Sequence, residues 1–250
     1  MIRHVLGLCP TYNRPGCVAN TLAQWRDQVV DCERHLIVFD DAGQYQPESC
    51  ELWRIVSWKE RCPTLGEKFD NLLRMAVGIA LEKRWSTAET LCVVFEDDDV
   101  YLPNHIQCHI DAVDTAEKPW AAPSRIYAND GCGRGKVHLS NATGRYHGAW
   151  SYELSAALAV NGYPHFNGEN GIGFDLVFGG RMRQRWGDPV DTTPGESKPH
   201  YIYRWGTASR NGSAFGIEGM LREQGEPKYR GRIHPLYDVE TLGYYSEFAK

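Results

Sequence analysis

The sequence predicts an α/β domain with a mostly parallel central sheet flanked by helices, and three observations lead there. Short apolar runs alternate with segments of helical periodicity through roughly the first 115 residues. Three of those runs end on polar, loop-forming motifs, and no Pro/Ser-rich linker or internal repeat divides the chain. A strand buried on both faces reads as a near-continuous apolar run, as these three do. In such sheets ligands bind beyond the carboxyl ends of the strands, so motifs at those ends line one site.

Taken in order, Val5-Leu6-Gly7-Leu8 forms the first strand. The turn-rich Pro10-Thr11-Tyr12-Asn13-Arg14-Pro15 closes it, and a helix follows over 18–27. His35-Leu36-Ile37-Val38-Phe39 is the second strand, ending on Asp40-Asp41-Ala42-Gly43. Thr64 and Glu67 have capping-box spacing. Phe69, Leu72, Leu73, Ala76, Val77 and Leu81 then recur at helical spacing. The third strand, Leu91-Cys92-Val93-Val94-Phe95, ends on Glu96-Asp97-Asp98-Asp99, and Pro103 opens another helix. Beyond Trp120 the pattern loosens: a strand is expected near 137–139, helices near 152–161 and 172–186, and a mobile loop over 131–135. The aromatic tail after Arg230, with Tyr237, Tyr244, Tyr245 and Phe248, is expected to dock on the body. The whole chain, 1–250, therefore reads as one domain with halves at about 1–115 and 116–250.

A net charge of -5 and a pI near 6.0 supply no electrostatic drive toward bulk nucleic acid or an anionic membrane. No stretch approaches the roughly 20 apolar residues that span a bilayer. The first strand begins too early to leave room for a signal peptide, so a cytoplasmic location is expected. The eight cysteines include no Cys-x-x-Cys pair, which argues against a zinc ribbon or thioredoxin-type site. Reduced thiols packed as small hydrophobes are the simpler reading.

The acidic run after the third strand is the most informative feature. Consecutive carboxylates repel one another, and a divalent cation offsets that repulsion; carboxylate oxygens are the usual ligands of Mg²⁺ and Mn²⁺. An ion there would stabilise charge developing on a departing diphosphate. The competing reading is an acidic cap for the helix after Pro103.

With these motifs in order, the sequence resembles the GT-A-type glycosyltransferases, most closely the inverting glycosyltransferase family 2. The likeness spans roughly the first 110 residues and, less closely, 144–190. It implies a Rossmann-like nucleotide half joined to an acceptor half, a nucleotide-diphosphate sugar donor (UDP-sugars by family habit), and Mn²⁺ or Mg²⁺. By the resemblance Pro10, Thr11, Tyr12 and Arg14 wrap the nucleotide base, and Asp40 of the Asp40-Asp41 pair meets base or ribose. Lys68 and Asn71, in Gly66-x-Lys68-x-x-Asn71, lie beside the nucleotide, with Asp97 nearer ribose or sugar. Asp98 is the implied direct metal ligand, with Asp99 beside it and His200 as a late histidine completing the shell. His147-Gly148-Ala149-Trp150 matches the acceptor segment. Asp175, six residues before Arg181, matches the general base, although Phe174 stands where the family has an acidic residue. Glu169 is the fallback base.

Each assignment has a plainer rival. Asp40 and Asp175 could cap a turn or helix, and Lys68 could be a solvated helix residue. Asn71, poor in helix interiors, needs a polar partner. Trp150, Trp186 and Trp205 could stack on a sugar or fill the core. Arg181, an acceptor-side residue by the resemblance that could, like Lys68, add positive charge near phosphate, also begins a basic run that reads as a charged helix face. His105 and His109 have zinc-helix spacing, but no Glu follows His105, so they read as a solvated or partly packed face. At the level of function, a nucleotidyltransferase of similar fold and a non-catalytic nucleotide- or carbohydrate-binding module are the alternatives. The acceptor stays open among glycan, protein, lipid-linked sugar and modified nucleic-acid base.

Overall fold

The computed structural model describes residues 1–12, 15–129, 137–142, 144, 146–165 and 173–204. Three strands carry the alternation seen in the sequence: β1 (His4–Thr11), β2 (Glu33–Asp40) and β5 (Thr90–Val94). They stand side by side and parallel, with Leu6 opposite His35 on one flank and Cys92 on the other. Both faces are covered. Leu6, Leu8, Ile37, Phe39, Cys92 and Val94 pack toward α2 (Leu65–Lys83), α4 (Leu154–Ala159) and α5 (Phe174–Trp186). Val5, Cys9, Leu36, Val38, Leu91 and Val93 pack toward α1 (Pro15–Arg26) and α3 (His105–Ala116). This period of two, buried on each side, is why the strands read as unbroken apolar runs.

The main sheet has eight strands in the order β11-β7-β10-β5-β1-β2-β4-β3. The added strands are β3 (Glu48–Ser49), β4 (Trp53–Ser57), β7 (Trp120–Ala122), β10 (Ser151–Glu153) and β11 (Val190–Asp191). Four neighbours, β5-β1-β2-β4, are parallel, whereas β10 runs antiparallel to both β5 and β7, and β3 antiparallel to β4. The sheet is thus mixed rather than purely parallel. A second, four-stranded sheet has the order β6-β12-β8-β9, from β6 (Val100–Tyr101), β8 (Arg125–Asn129), β9 (Val137–Asn141) and β12 (Tyr201–Arg204).

Helix α2 begins as its sequence predicts: the Thr64 hydroxyl accepts from the Glu67 amide at 3.0 Å. It ends at Arg84, whose left-handed backbone (φ 58°) returns its N–H to the carbonyls of Ala80 and Leu81. A Cβ on Gly66 would stand 2.2 Å from the Pro164 carbonyl oxygen, so only glycine lets this first turn meet the segment after α4.

The helix expected over 152–161 is divided. Ser151 and Tyr152 pair with β5 and β7 before the chain turns helical at Leu154. The pairing has a positional consequence. An antiparallel β10 starts beside the carboxyl end of β5, and the Val94 amide donates to the Trp150 carbonyl at 2.9 Å. Residues 147–150 are thereby set against the acidic run. Arg14, the loop over 131–135, Glu169, Trp205 and the aromatic tail lie outside the described residues. Among the described residues no helix is long and apolar enough to cross a membrane.

Candidate functional site

Because β1, β2 and β5 are adjacent and parallel, their carboxyl ends bring Thr11, Asp40-Asp41 and Glu96–Asp99 together. The Thr11 hydroxyl donates to Asp97 Oδ2 at 2.6 Å, tying the first loop to the acidic run. Asp40, fully buried, accepts from the amides of Ala42 (2.9 Å) and Gln44 (2.7 Å) and from the Ser57 hydroxyl (2.8 Å). It therefore caps its turn and fastens β4 at the end of β2.

Lys68 corrects its reading as a solvated helix residue. Its side chain is 4 % exposed, and its ammonium ion-pairs with Asp41 and donates to the Thr11 carbonyl. Asp41 also accepts from the Cys62 amide at 2.9 Å. Lys68 is not solvated; it locks α2 onto the ends of β1 and β2. Asn71 Nδ2 reaches Cys62 Sγ at 3.7 Å. The Tyr12 ring is covered by the Arg61 guanidinium at 4.0 Å from its centroid, a partner the sequence did not single out.

The acidic run divides by direction. Asp97 turns toward β1, while Glu96, Asp98 and Asp99 each place a carboxylate oxygen within 4.8 Å of the others. Asp99 is buried, accepting from the Tyr201 hydroxyl and, at 2.9 Å, from the Arg204 amide. Burial first, then the charges of Asp98 and Glu96, push its carboxyl well above the usual range. Three oxygen donors this close resist simultaneous ionisation unless a cation joins them, so the set fits a hard divalent ion.

The space for such an ion depends on Gly148. A Cβ there would meet Tyr201 Oη at 2.8 Å, Asp99 Oδ2 at 2.9 Å and Glu96 Oε2 at 3.1 Å. Gly148→Ala is expected to splay the carboxylates. Overpacking costs about 1–3 kcal/mol, so Mn²⁺ affinity in a calorimetric titration should fall by roughly 10–100-fold.

His147 bridges this group to the other half of the chain. Its Nδ1 lies 3.2 Å from Glu96 Oε1 and its Nε2 2.7 Å from the Tyr163 hydroxyl, which in turn meets Tyr152 at 2.8 Å. Burial holds His147 down to about 4, while the charge of Asp175 pulls the other way. The imidazole is therefore neutral near pH 7, and Asp175 is within electrostatic reach of His147.

With this geometry in place, the chain can be set beside known proteins. No family model matches it, and no curated protein matches its sequence. Solved structures do match its shape. S. aureus TarS 1-349 in complex with UDP-GlcNAc aligns with a TM-score of 0.57 at 11% identity, covering 89% of this chain and 64% of that one. Mannosyltransferase PcManGT from Pyrobaculum calidifontis, in complex with GDP-Man and Mn2+, aligns with a TM-score of 0.55 at 11% identity, covering 99% and 70%. The fold is that of a GT-A-type glycosyltransferase. At these identities the likeness is one of fold, and this chain spans 60–64% of the length of TarS 1-349.

Within the GT-A fold, the residues expected on the acceptor side separate. Asp175 lies half-buried in the first turn of α5. Arg181 Nη1 donates to the Gly162 carbonyl at 3.2 Å, and the residue borders a cleft of about 670 Å³ with Asp70, Arg74, Tyr163 and His165. Trp150 is 1 % exposed, donates to the Gly144 carbonyl at 3.1 Å and packs edge-on against Trp120. It is a core residue, not a stacking platform.

His200 is also placed differently from its expected role. It is fully buried beside His105 and His109, with Nδ1 2.8 Å from His105 Nδ1 and Nε2 2.7 Å from the Thr192 hydroxyl. The carboxylate group forms without it. His105 and His109 are fully buried too, more than the solvated or partly packed face expected of them. The residues of this group that sequence reasoning passed over are Glu96 as a third clustered carboxylate, and Tyr163, Tyr201 and Arg204. Glu96 was visible in the acidic run; the other three gave no local signal.

Proposed function

We propose that this chain transfers a sugar from a nucleotide-diphosphate donor to an acceptor hydroxyl, with Mn²⁺ or Mg²⁺ held by Glu96, Asp98 and Asp99. The observation that carries the reading is the convergence of these three carboxylates at the end of β5, beside the loop after β1. The fold supports it, since solved neighbours hold UDP-GlcNAc, or GDP-Man with Mn2+. When bound, the ion would neutralise charge on the departing diphosphate.

The protein's own groups divide the remaining tasks. Pro10, Thr11 and Tyr12 border the base and ribose, and Asp97 faces the same side. Lys68 and Asp41 hold that wall in shape rather than touching phosphate. Displacement with inversion needs a base opposite the leaving group. Asp175 suits that role because its charge reaches His147, which contacts Glu96. The neutral His147 fixes the orientation of Glu96. Arg181, on the neighbouring cleft, is the acceptor-side contact. A UDP-sugar is the favoured donor, by family resemblance.

A thermal-shift panel of UDP, GDP, CDP, ADP and dTDP, with and without Mn²⁺, tests the donor reading. Stabilisation by one diphosphate only in the presence of metal is expected; no metal-dependent shift with any of them would sink it. Asp175→Asn should lower turnover by about 10²–10⁴-fold with donor stabilisation retained. Near-normal transfer would remove Asp175 as base and turn attention to Glu169.

A further inference from the structure

The interior between α3 and β12 holds three histidines that the transfer reaction does not use. Helix α3 sets His105 and His109 four residues apart on its buried face, and the segment entering β12 brings His200 against them. All three are fully buried. One ring nitrogen from each lies within 4.8 Å of the other two, and among the described residues no carboxylate or thiol joins the group.

Hydrogen-bond accounting shows what is missing. The six ring nitrogens make three contacts: His105 Nδ1 with His200 Nδ1 at 2.8 Å, His109 Nδ1 with the Ser151 hydroxyl at 2.7 Å, and His200 Nε2 with the Thr192 hydroxyl at 2.7 Å. His105 Nε2 and His109 Nε2 are buried without a partner. Each unmet buried polar atom costs about 1–3 kcal/mol, and native interiors keep few of them. Two on adjacent rings, 4.6 Å apart by centroid, indicate a ligand with a strong demand for imidazole lone pairs.

We propose that His105, His109 and His200 form a second metal site, taking a borderline-soft transition ion of the zinc type. Imidazole donors suit zinc, whereas carboxylate sets suit magnesium and manganese, so the two clusters in this molecule select different ions. Burial away from water keeps the rings uncharged, the state in which they ligate. Ser151 and Thr192 hold His109 and His200 by their other nitrogens, leaving His109 Nε2 and His200 Nδ1 as ligand atoms; such outer contacts orient ligating histidines. The hydrogen bond between His105 and His200 gives way to bonds to the ion. The neighbouring Tyr201, in β12, donates to Asp99, so an ion here stiffens the strand whose tyrosine holds one carboxylate of the first site.

The test uses the full chain, expressed with zinc and purified without chelator, with metal content read by mass spectrometry. About one zinc per chain is expected, retained in Asp98→Asn and reduced at least about tenfold in His109→Gln and His200→Gln. Co²⁺ added to chelator-stripped wild type should give the intense visible absorption of nitrogen coordination. That readout needs no variant and decides the matter if a histidine substitution misfolds. Wild type with substoichiometric zinc and no such absorption overturns the site. So does zinc that is lost in Asp98→Asn but kept in the histidine variants. Neither result bears on nucleotide binding, so this site and the donor site stand or fall separately.

Discussion

Asp98→Ala is expected to remove metal-dependent stabilisation by any nucleoside diphosphate and to lower transfer by about 10²–10³-fold or more. The residue suits the experiment because it is partly exposed, whereas Asp99 is buried and bonded to Tyr201 and Arg204. Replacing Asp99 would strip a carboxylate from two buried donors and confound binding with folding. Replacing Asp98 takes one oxygen donor from the group and leaves those contacts in place. The unliganded variant should therefore melt close to wild type, since partly exposed substitutions of this kind usually shift stability by about 0.5 kcal/mol or less. A variant that keeps the full Mn²⁺-dependent shift would return the acidic run to a structural role ahead of α3.

The largest stability effect is expected at Lys68. Lys68→Met removes the cation from a pair in which Lys68 and Asp41 are 4% and 1% exposed. Asp41 would keep the Cys62 amide but lose its counter-charge. Breaking one side of a buried pair costs about 3–5 kcal/mol, because the remaining charge is stranded. For a chain of this size the melting temperature should drop by on the order of 10 °C. The double variant Asp41→Asn/Lys68→Met should recover much of the loss, since neither charge then remains. A phosphate-contacting lysine would behave otherwise, with donor affinity falling and the melting temperature of the free protein unchanged. Calorimetry of the three variants separates the cases.

These two residues also mark how far the sequence could be read. The acidic run was legible because its meaning is local: four carboxylates closing an apolar strand have few structural uses. Strands β1, β2 and β5 were legible because burial on both faces leaves an unbroken apolar run. The start of α2 was legible because Thr64 and Glu67 interact within one turn. Lys68 was not, since its partner lies 27 residues away and a lysine near a helix start is ordinarily solvated. Strand β10 was hidden inside a helix-like stretch because three residues are too few to show a period. Pairing with β5 and β7 made it a strand.

The sequence by itself determined the α/β plan, the three strand ends that face one site and the carboxylates that gather there, since each follows from patterns a few residues long. Tertiary structure alone decided which carboxylates share an ion, that Asp40 and Lys68 hold the frame, that Trp150 belongs to the core, and that His200 joins His105 and His109. The contact between Tyr201 and Asp99 spans 102 residues of chain. No local preference encodes such a meeting; it arises when two sheets close over one interior and each buried polar group must find a partner there.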